Sequence, residues 1–177
     1  MNVILRPWQL EDADGLAAIC NNKKVWNNVR DLMPYPYSRA DAKDFLEMTK
    51  TKNPLENFCV ESDGKAVGNI GVVRFSDVYR KKMEIGFMIS EKHWGKGFAT
   101  EAVAQLVDYV WKTFDVVKIF AGVYDFNAPS MRVLEKNGFQ LESINKKGIY
   151  KNDKFLDEYI FTIFRPGFIE SQSSQSK

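Results

Sequence analysis

The amino-acid sequence predicts a mixed α/β fold, an α+β arrangement in which helices cover a mixed sheet of about seven strands. Candidate strands and helices follow one another in the order β-α-α-β-β-β-α-β-α-β-β. Residues 100–114 give the strongest helix signal, because apolar side chains recur there every three or four positions. A length of 177 residues, 45% of them apolar, suffices for one domain with a full core.

The first half of the chain is predicted to contain four strands and two helices. Their bounds are residues 3–5 for the first strand, 11–21 and 38–50 for the helices, and 57–61, 65–75 and 83–90 for the remaining strands. Acidic residues favour the start of the first helix, and Ser38 with Asp41 forms a capping-box pattern before the second. Two prolines make the segment between these helices irregular, and Asp63-Gly64 predicts the tight turn of a hairpin.

The second half is predicted to contain two helices and three strands. Their bounds are residues 100–114 and 129–137 for the helices, and 116–123, 141–149 and 155–164 for the strands. Pro129 suits the first turn of the shorter helix, and Gly138 suits its C-terminal cap. Trp94 is expected to pack in the core. We expect one domain over residues 1–166, followed by a polar, disordered tail over residues 167–177.

Composition argues against several classes of function. The 25 basic and 23 acidic residues leave a net charge of +2, which gives no support to nucleic-acid or membrane-surface binding. One histidine and two cysteines make a zinc site unexpected, so no metal is predicted. The sequence has neither the ~20 consecutive apolar residues of a membrane span nor the pattern of a signal peptide, which predicts a cytoplasmic protein.

The most informative pattern lies between a predicted strand and the helix at residues 100–114. There the chain reads His93-Trp94-Gly95-Lys96-Gly97. A helix N-terminus offers unpaired N–H groups and the positive end of a dipole, and glycines let an anion approach the backbone closely. The pattern predicts a phosphate or pyrophosphate site, with Lys96 adding positive charge. It lacks the Gly-Lys-Ser/Thr of a Walker A motif and the third glycine of a Rossmann fingerprint.

A second segment makes this pattern specific. It begins with Asn127-Ala128-Pro129-Ser130, 30 residues after Gly97, and ends with Asn137-Gly138-Phe139. With the opening Leu5-Arg6-Pro7-Trp8, the two segments resemble the GCN5-related N-acetyltransferases (GNAT). Within that superfamily they look like the branch of ribosomal-protein alanine and serine N-acetyltransferases. The resemblance spans about residues 3–164 and implies the GNAT acyl-CoA N-acyltransferase fold: a twisted mixed sheet, splayed near its middle, with acetyl-CoA in the opening as co-substrate.

The resemblance assigns acetyl-CoA binding to three places in the sequence. The glycine turn would offer backbone amides to the pyrophosphate, the end of the preceding strand would hydrogen-bond the pantetheine arm, and an asparagine would contact that arm from a neighbouring helix. The residues are Gly95, Lys96, Gly97, Phe98 and Ala99 for the turn, Phe87, Met88 and Ile89 for the strand, and Asn127 for the helix.

The resemblance also implies catalytic roles. Many GNAT members carry a tyrosine general acid seven residues after the asparagine, where this chain has Leu134. The ribosomal-protein branch has a serine three residues after it, so Ser130 is the candidate that donates a hydrogen bond to the leaving sulfur. The attacking amine must be neutral, and Glu84 is the best candidate for its general base. The alternatives for the base are Asp157, Glu158 and Tyr150.

The acceptor is not identified by the sequence. In this fold the variable aromatic segment lines the acceptor side, so Trp26, Arg30, Tyr35 and Tyr37 are expected to shape the pocket; the alternative is an aromatic cluster under a loop. The predicted function is transfer of acetyl from acetyl-CoA to a primary amine, by direct attack in a ternary complex. The amine belongs to a protein N-terminus or a small molecule, and the chain is expected to be a monomer or homodimer. The alternative function is a non-catalytic CoA-binding sensor or assembly module on the same fold.

Overall fold

The computed structural model describes residues 2–169, in which seven strands form one sheet with helices packed around it. The strands are β1 Ile4–Arg6, β2 Asn57–Ser62, β3 Lys65–Arg74, β4 Lys82–Ile89, β5 Lys118–Tyr124, β6 Gln140–Lys151 and β7 Lys154–Phe164. The helices are α1 Ala13–Cys20, α2 Lys23–Trp26, α3 Arg39–Lys50, α4 Phe98–Thr113 and α5 Ala128–Lys136. This architecture confirms the predicted mixed α/β fold.

The sheet is mixed, with the strand order β1-β2-β3-β4-β5-β7-β6. β1 with β2, β2 with β3, β5 with β7 and β6 with β7 are antiparallel pairs. β4 and β5 run parallel, and their register joins Lys82–Glu84 to Lys118–Phe120. α4 connects these two parallel strands, as a crossover must.

The chain forms two compact units, the first built from residues 2–72 and 86–106. Helices α1 and α3 pack against each other in this unit. The core around them contains Trp8, Ala13, Leu16, Cys20, Tyr37, Ala42, Leu46 and Cys59. Arg6 anchors β1. Its guanidinium donates to both carboxylate oxygens of Asp12 at 2.7 and 2.9 Å and also pairs with Glu61.

The second unit comprises residues 73–85 and 107–169. Its buried side chains come from the end of α4, from β5, from α5 and from β7, and they include Val110, Phe114, Ile119, Val123, Leu134 and Phe161. Arg165 follows β7 and donates to the carbonyls of Val116, Trp111 and Phe114 at 2.9, 3.0 and 2.9 Å. The last carbonyls of a helix need such partners, so Arg165 fixes the end of α4.

Several local predictions are confirmed by backbone geometry. The β2–β3 turn has left-handed φ angles of +51° at Asp63 and +72° at Gly64, as a tight hairpin requires. Ser38 and Asp41 form the predicted capping box of α3. Gly138 ends α5 with a φ of +82°. The four-residue helix α2 was not predicted, because a single turn is too short to show an apolar period.

The predicted domain boundary and C-terminal tail fall at the end of the described residues. The assignment of residues 1–166 to one domain stays a prediction. Of the predicted tail, residues 170–177 lie outside the described residues, whereas Phe168 stacks on Phe164 with 6.1 Å between ring centroids. No helix within residues 2–169 is long and apolar enough to cross a membrane.

Candidate functional site

The predicted anion site is a turn between β4 and α4. A 3₁₀ turn at Glu91–His93 follows β4, and four residues then lead into Phe98, where α4 begins. Gly95 and Gly97 have φ angles of +71° and +86°, in the left-handed region that residues with a Cβ rarely adopt. The carbonyl of Gly97 accepts a hydrogen bond from Glu101 N at 3.1 Å, so the helix starts directly on this glycine.

The turn has the properties of an anion site. The first N–H groups of α4 have no acceptor within the helix, as at any helix N-terminus, and the helix dipole adds positive potential there. Residues 94–97 are exposed, and a Cβ built on Gly95 would meet no atom within 4 Å. Lys96 Nζ donates to the carbonyl of Lys92 at 2.8 Å, which keeps a lysine charge at the turn. Open space beside these groups fits a phosphate.

The side chains of Ser90 and His93 hold the shape of the turn. Ser90 Oγ lies 2.6 Å from His93 Nδ1, and the His93 ring meets Phe98 edge-on at 5.0 Å. Partial burial, together with Lys92 and Lys96, lowers the pKa of His93, so its imidazole is neutral at pH 7. His93 therefore braces the turn as an uncharged ring.

The prediction that Trp94 packs in the core is wrong. Its side chain is 43% exposed. Its indole Nε1 donates to the carbonyl of Ile89 at 2.7 Å, which ties the turn to the end of β4. The prediction failed because Trp94 lies in a turn, where helical spacing says nothing about burial.

The end of β4 carries the three residues assigned to the pantetheine arm. Phe87 and Met88 are half-buried and Ile89 is buried. β3 lies close to this end, since Ser90 N donates to the carbonyl of Val67 at 2.8 Å. A Cβ on Gly68 would clash with the carbonyl oxygen of Met88, so glycine is required for this approach. β4 is thereby held rigidly up to the point where the turn begins.

Asn127 and Ser130 lie together at the start of α5, in the second unit. Asn127 is the N-cap, and its Oδ1 accepts a hydrogen bond from Ser130 N at 3.2 Å. Capping uses the amide oxygen and leaves the Nδ2 group as a possible donor to a ligand. Leu134, one turn further along, is completely buried. The position that holds tyrosine in many GNAT members is therefore filled here by a core side chain.

The candidate bases differ in their surroundings. Glu84 lies on β4 opposite Phe120 of β5 and is half-buried between the buried Met83 and Ile85. Asp157 accepts from Lys146 Nζ at 2.8 Å and from Lys147 N at 3.0 Å, and these bonds hold its pKa well below its usual range. Such a carboxylate is a poor proton acceptor at neutral pH.

The other two candidate bases, Glu158 and Tyr150, also form hydrogen bonds. Glu158 accepts from Asn145 Nδ2 at 3.0 Å, and its carboxylate lies over Gly122, where any Cβ would clash with it. Tyr150 is largely exposed, and its hydroxyl donates to Asp153 Oδ1 at 3.2 Å in the β6–β7 hairpin. These contacts hold the carboxylate of Glu158 and the hydroxyl of Tyr150 in place.

The aromatic segment proposed for the acceptor divides into two parts. Trp26 and Tyr35 form a ring pair with centroids 5.6 Å apart, while Arg30 is exposed nearby in sequence. Tyr37 is 7% exposed and belongs to the core of the first unit, and burial raises the pKa of its hydroxyl. Lys23, which the sequence analysis did not single out, places its Nζ over the rings of both Trp26 and Tyr35.

Comparison with known proteins extends these observations. The sequence profile described as Acetyltransferase (GNAT) domain matches residues 2–140. The uncharacterized N-acetyltransferase p20 of Bacillus licheniformis is 29% identical over 167 residues, which cover 91% of this chain and 92% of p20.

Solved structures show the same fold. The ribosomal-protein-S5-alanine acetyltransferase of Vibrio fischeri superposes with a TM-score of 0.83 at 20% identity, covering 95% of this chain and 96% of that one. The spermidine N-acetyltransferase of Vibrio cholerae, solved with CoA and spermine, gives a TM-score of 0.79 at 20% identity, covering 94% and 98%. The resemblance to the GNAT acetyltransferases is thus confirmed, and the chain belongs to the GNAT acetyltransferase domain family and is an N-acetyltransferase.

Proposed function

We propose that this enzyme transfers an acetyl group from acetyl-CoA to a primary amine, by direct attack of the amine in a ternary complex. The observation that carries the proposal is the turn at the start of α4, where Gly95 and Gly97 are left-handed and the space beside Gly95 is open. Those features suit a pyrophosphate, and the family to which the chain belongs is one of acetyltransferases. The V. cholerae relative contains CoA, which supports the same co-substrate here.

Three groups of residues would hold acetyl-CoA. The amides of Gly95, Lys96, Gly97, Phe98 and Ala99 would donate to the pyrophosphate, which needs several donors at once. Backbone groups of Phe87, Met88 and Ile89 would bond the pantetheine arm as a neighbouring strand does. Asn127 would donate from Nδ2, since its Oδ1 caps α5. When bound, acetyl-CoA supplies a thioester that is activated towards an amine.

Ser130 and Glu84 are the proposed catalytic residues. Glu84 would accept the proton that the acceptor ammonium must lose before nitrogen can attack. The hydroxyl of Ser130 would donate a hydrogen bond to the sulfur as negative charge develops on it. A serine hydroxyl has too high a pKa to be a strong acid, so its contribution is stabilisation of charge more than full proton transfer.

The acceptor is proposed to be a primary amine on a small molecule or a protein N-terminus. The relatives support both classes, because one acts on the alanine of a ribosomal protein and another on spermidine. Trp26, Arg30, Tyr35 and Tyr37 remain the proposed acceptor residues; of these, Tyr37 belongs to the core of the first unit.

Calorimetric titration with acetyl-CoA tests the donor, with dephospho-CoA and ATP as controls. A dissociation constant near 1 μM, about −8 kcal/mol, is expected. Failure to bind at millimolar concentration would show that the glycine turn is structural only. Initial velocities at several concentrations of both substrates test the ternary complex: intersecting lines are expected, whereas parallel lines would indicate a covalent acetyl-enzyme.

Replacement of Ser130 tests the proposed catalytic step. Ser130→Ala is expected to lower kcat by roughly 10- to 100-fold with little change in KM, because the lost hydrogen bond forms mainly in the transition state. Ser130 N, and not its hydroxyl, bonds Asn127, so α5 keeps its cap in this variant. An unchanged kcat would remove Ser130 from the mechanism.

A further inference from the structure

The ring pair Trp26–Tyr35 already binds an ammonium group, that of the enzyme's own Lys23. Lys23 Nζ lies 4.0 Å from the Trp26 ring centroid and 4.7 Å from that of Tyr35. Lys23 and Trp26 are the first and last residues of α2, so the helix places them on one side. An ammonium within about 6 Å of an aromatic face is attracted by the electron density of the ring.

The Trp26 ring is held by contacts that do not involve Lys23. Trp26 Nε1 donates to the carbonyl of Met33 at 2.8 Å, which fixes the indole across the loop. Val25, beside Trp26, is 2% exposed. The side chain of Asn22 caps α2, accepting from Lys24 N at 2.9 Å. Removal of the Lys23 side chain should therefore leave the Trp26 ring in place, with its contact to Tyr35 still available.

The pair is also accessible from solvent. Tyr35 is 40% exposed, and Lys23 is an exposed side chain with a flexible four-carbon stem. A surface cation–π contact is worth about 0.5–1 kcal/mol, so Lys23 leaves the rings readily. The site thus has an occupant that a competing cation can displace.

We propose that the Trp26–Tyr35 pair is a binding site for an alkylammonium group of the substrate, and that Lys23 competes for it. The ligand class follows from the occupant, which is an ammonium on a linear alkyl chain. A linear polyamine has a second ammonium group to place on the rings while another amine reacts. The assignment of this cation to the acceptor rests on the proposed function, whereas its binding to the rings does not.

The test uses the indole N–H signal of Trp26 in ¹H–¹⁵N NMR spectra, assigned with Trp26→Phe. Spermidine is titrated into the wild type, with MgCl₂ at matched ionic strength as the control for general charge effects. Spermidine should shift the Trp26 signal and MgCl₂ should not. In Lys23→Met the affinity for spermidine should rise about fivefold, the gain expected when an intramolecular competitor worth about 1 kcal/mol is removed.

Two variants separate the ring site from simple charge repulsion. Lys23→Arg keeps both the charge and the cation–π contact, so its affinity for spermidine should match the wild type. Lys24→Met removes a neighbouring lysine whose Nζ pairs with Glu91 and not with the rings. Its affinity for spermidine should rise less than that of Lys23→Met. Equal gains in spermidine affinity in Lys23→Met and Lys24→Met would overturn the proposal. So would a Trp26 indole signal that spermidine shifts neither in the wild type nor in these variants.

Kinetics connect the site to the acceptor. With acetyl-CoA, Lys23→Met should lower the KM of a polyamine several-fold at similar kcat, and leave the KM of a monoamine unchanged. A KM change of equal size for both amines would refute the assignment to the second ammonium group. If no amine is acetylated by any variant, the proposed function fails, while the NMR titration still decides whether the rings bind the cation.

Discussion

Replacement of Gly97 by glutamate probes the anion site at its centre. Gly97 has a φ of +86° and its carbonyl accepts the first helical hydrogen bond of α4 from Glu101. A glutamate adds both a Cβ in a left-handed conformation and a negative charge beside the amides that would hold the pyrophosphate. The first change affects stability, and the second affects binding of acetyl-CoA.

The size of each effect follows from the geometry. A Cβ in the left-handed region costs about 1–2 kcal/mol, which lowers Tm by roughly 2–8 °C for a protein of this size. A pyrophosphate held by the turn would carry two charges, and each is taken to lie about 5 Å from a carboxylate on residue 97 for the Coulomb estimate. Their repulsion is about 1.7 kcal/mol in the high dielectric of an exposed turn, or about seventeenfold in affinity, and it is larger if water is excluded.

Gly64 in the β2–β3 hairpin provides the matched control. Its φ is +72° and a Cβ there would meet no atom within 4 Å, so Gly64→Glu carries comparable strain and the same charge elsewhere. Both variants should lose similar Tm, but only Gly97→Glu should weaken acetyl-CoA binding by calorimetry, by at least about tenfold. Equal affinities of the two variants for acetyl-CoA would refute the pyrophosphate assignment.

Three further predictions concern protonation. Glu84→Gln should remove the acidic limb from the pH profile of kcat/KM, and an unaltered profile would exclude Glu84 as the base. Cys20 and Cys59 are buried, which raises the pKa of both thiols to about 12; a thiol reagent at neutral pH should label them only after unfolding, and rapid labelling of the native enzyme would contradict this. Asp157→Asn should lower the free energy of unfolding in urea at pH 7, because the lysine contacts depress the pKa of Asp157. Since the folded pKa lies below the unfolded value, this stabilisation is fully present above about pH 4 and declines as the pH falls towards the folded pKa, so a difference from wild type that is as large at pH 2 as at pH 7 would contradict it.

The sequence predicted those parts of the fold that local chemistry determines. Val103, Leu106 and Val110 repeat at helical spacing, and all three are completely buried on α4. Asp63-Gly64 specified its own turn through its preference for positive φ. The order of strands in the sheet depends on contacts distant in sequence, and it was not predicted.

The parts of the candidate site that depend on backbone conformation could be predicted from the sequence. The parts that depend on side-chain contacts were harder to predict. Gly95 and Gly97 were identified because few other residues adopt their φ angles. The contact of Lys23 with Trp26 and Tyr35 was missed, because it depends on a one-turn helix and on a loop that brings Tyr35 back to it. A lysine three residues before a tryptophan was the available signal, and it has meaning only if that segment is helical.

Acetylation of amines by the purified enzyme tests the central claim most directly. CoA released from acetyl-CoA would be measured with a thiol reagent, and the acetylated product by mass spectrometry, across amines that include spermidine and a peptide with an N-terminal alanine. We predict that CoA is released only when an amine is present, and that the amount of CoA released equals the amount of amide formed. Tight binding of acetyl-CoA without amine-dependent release of CoA would contradict the proposed reaction.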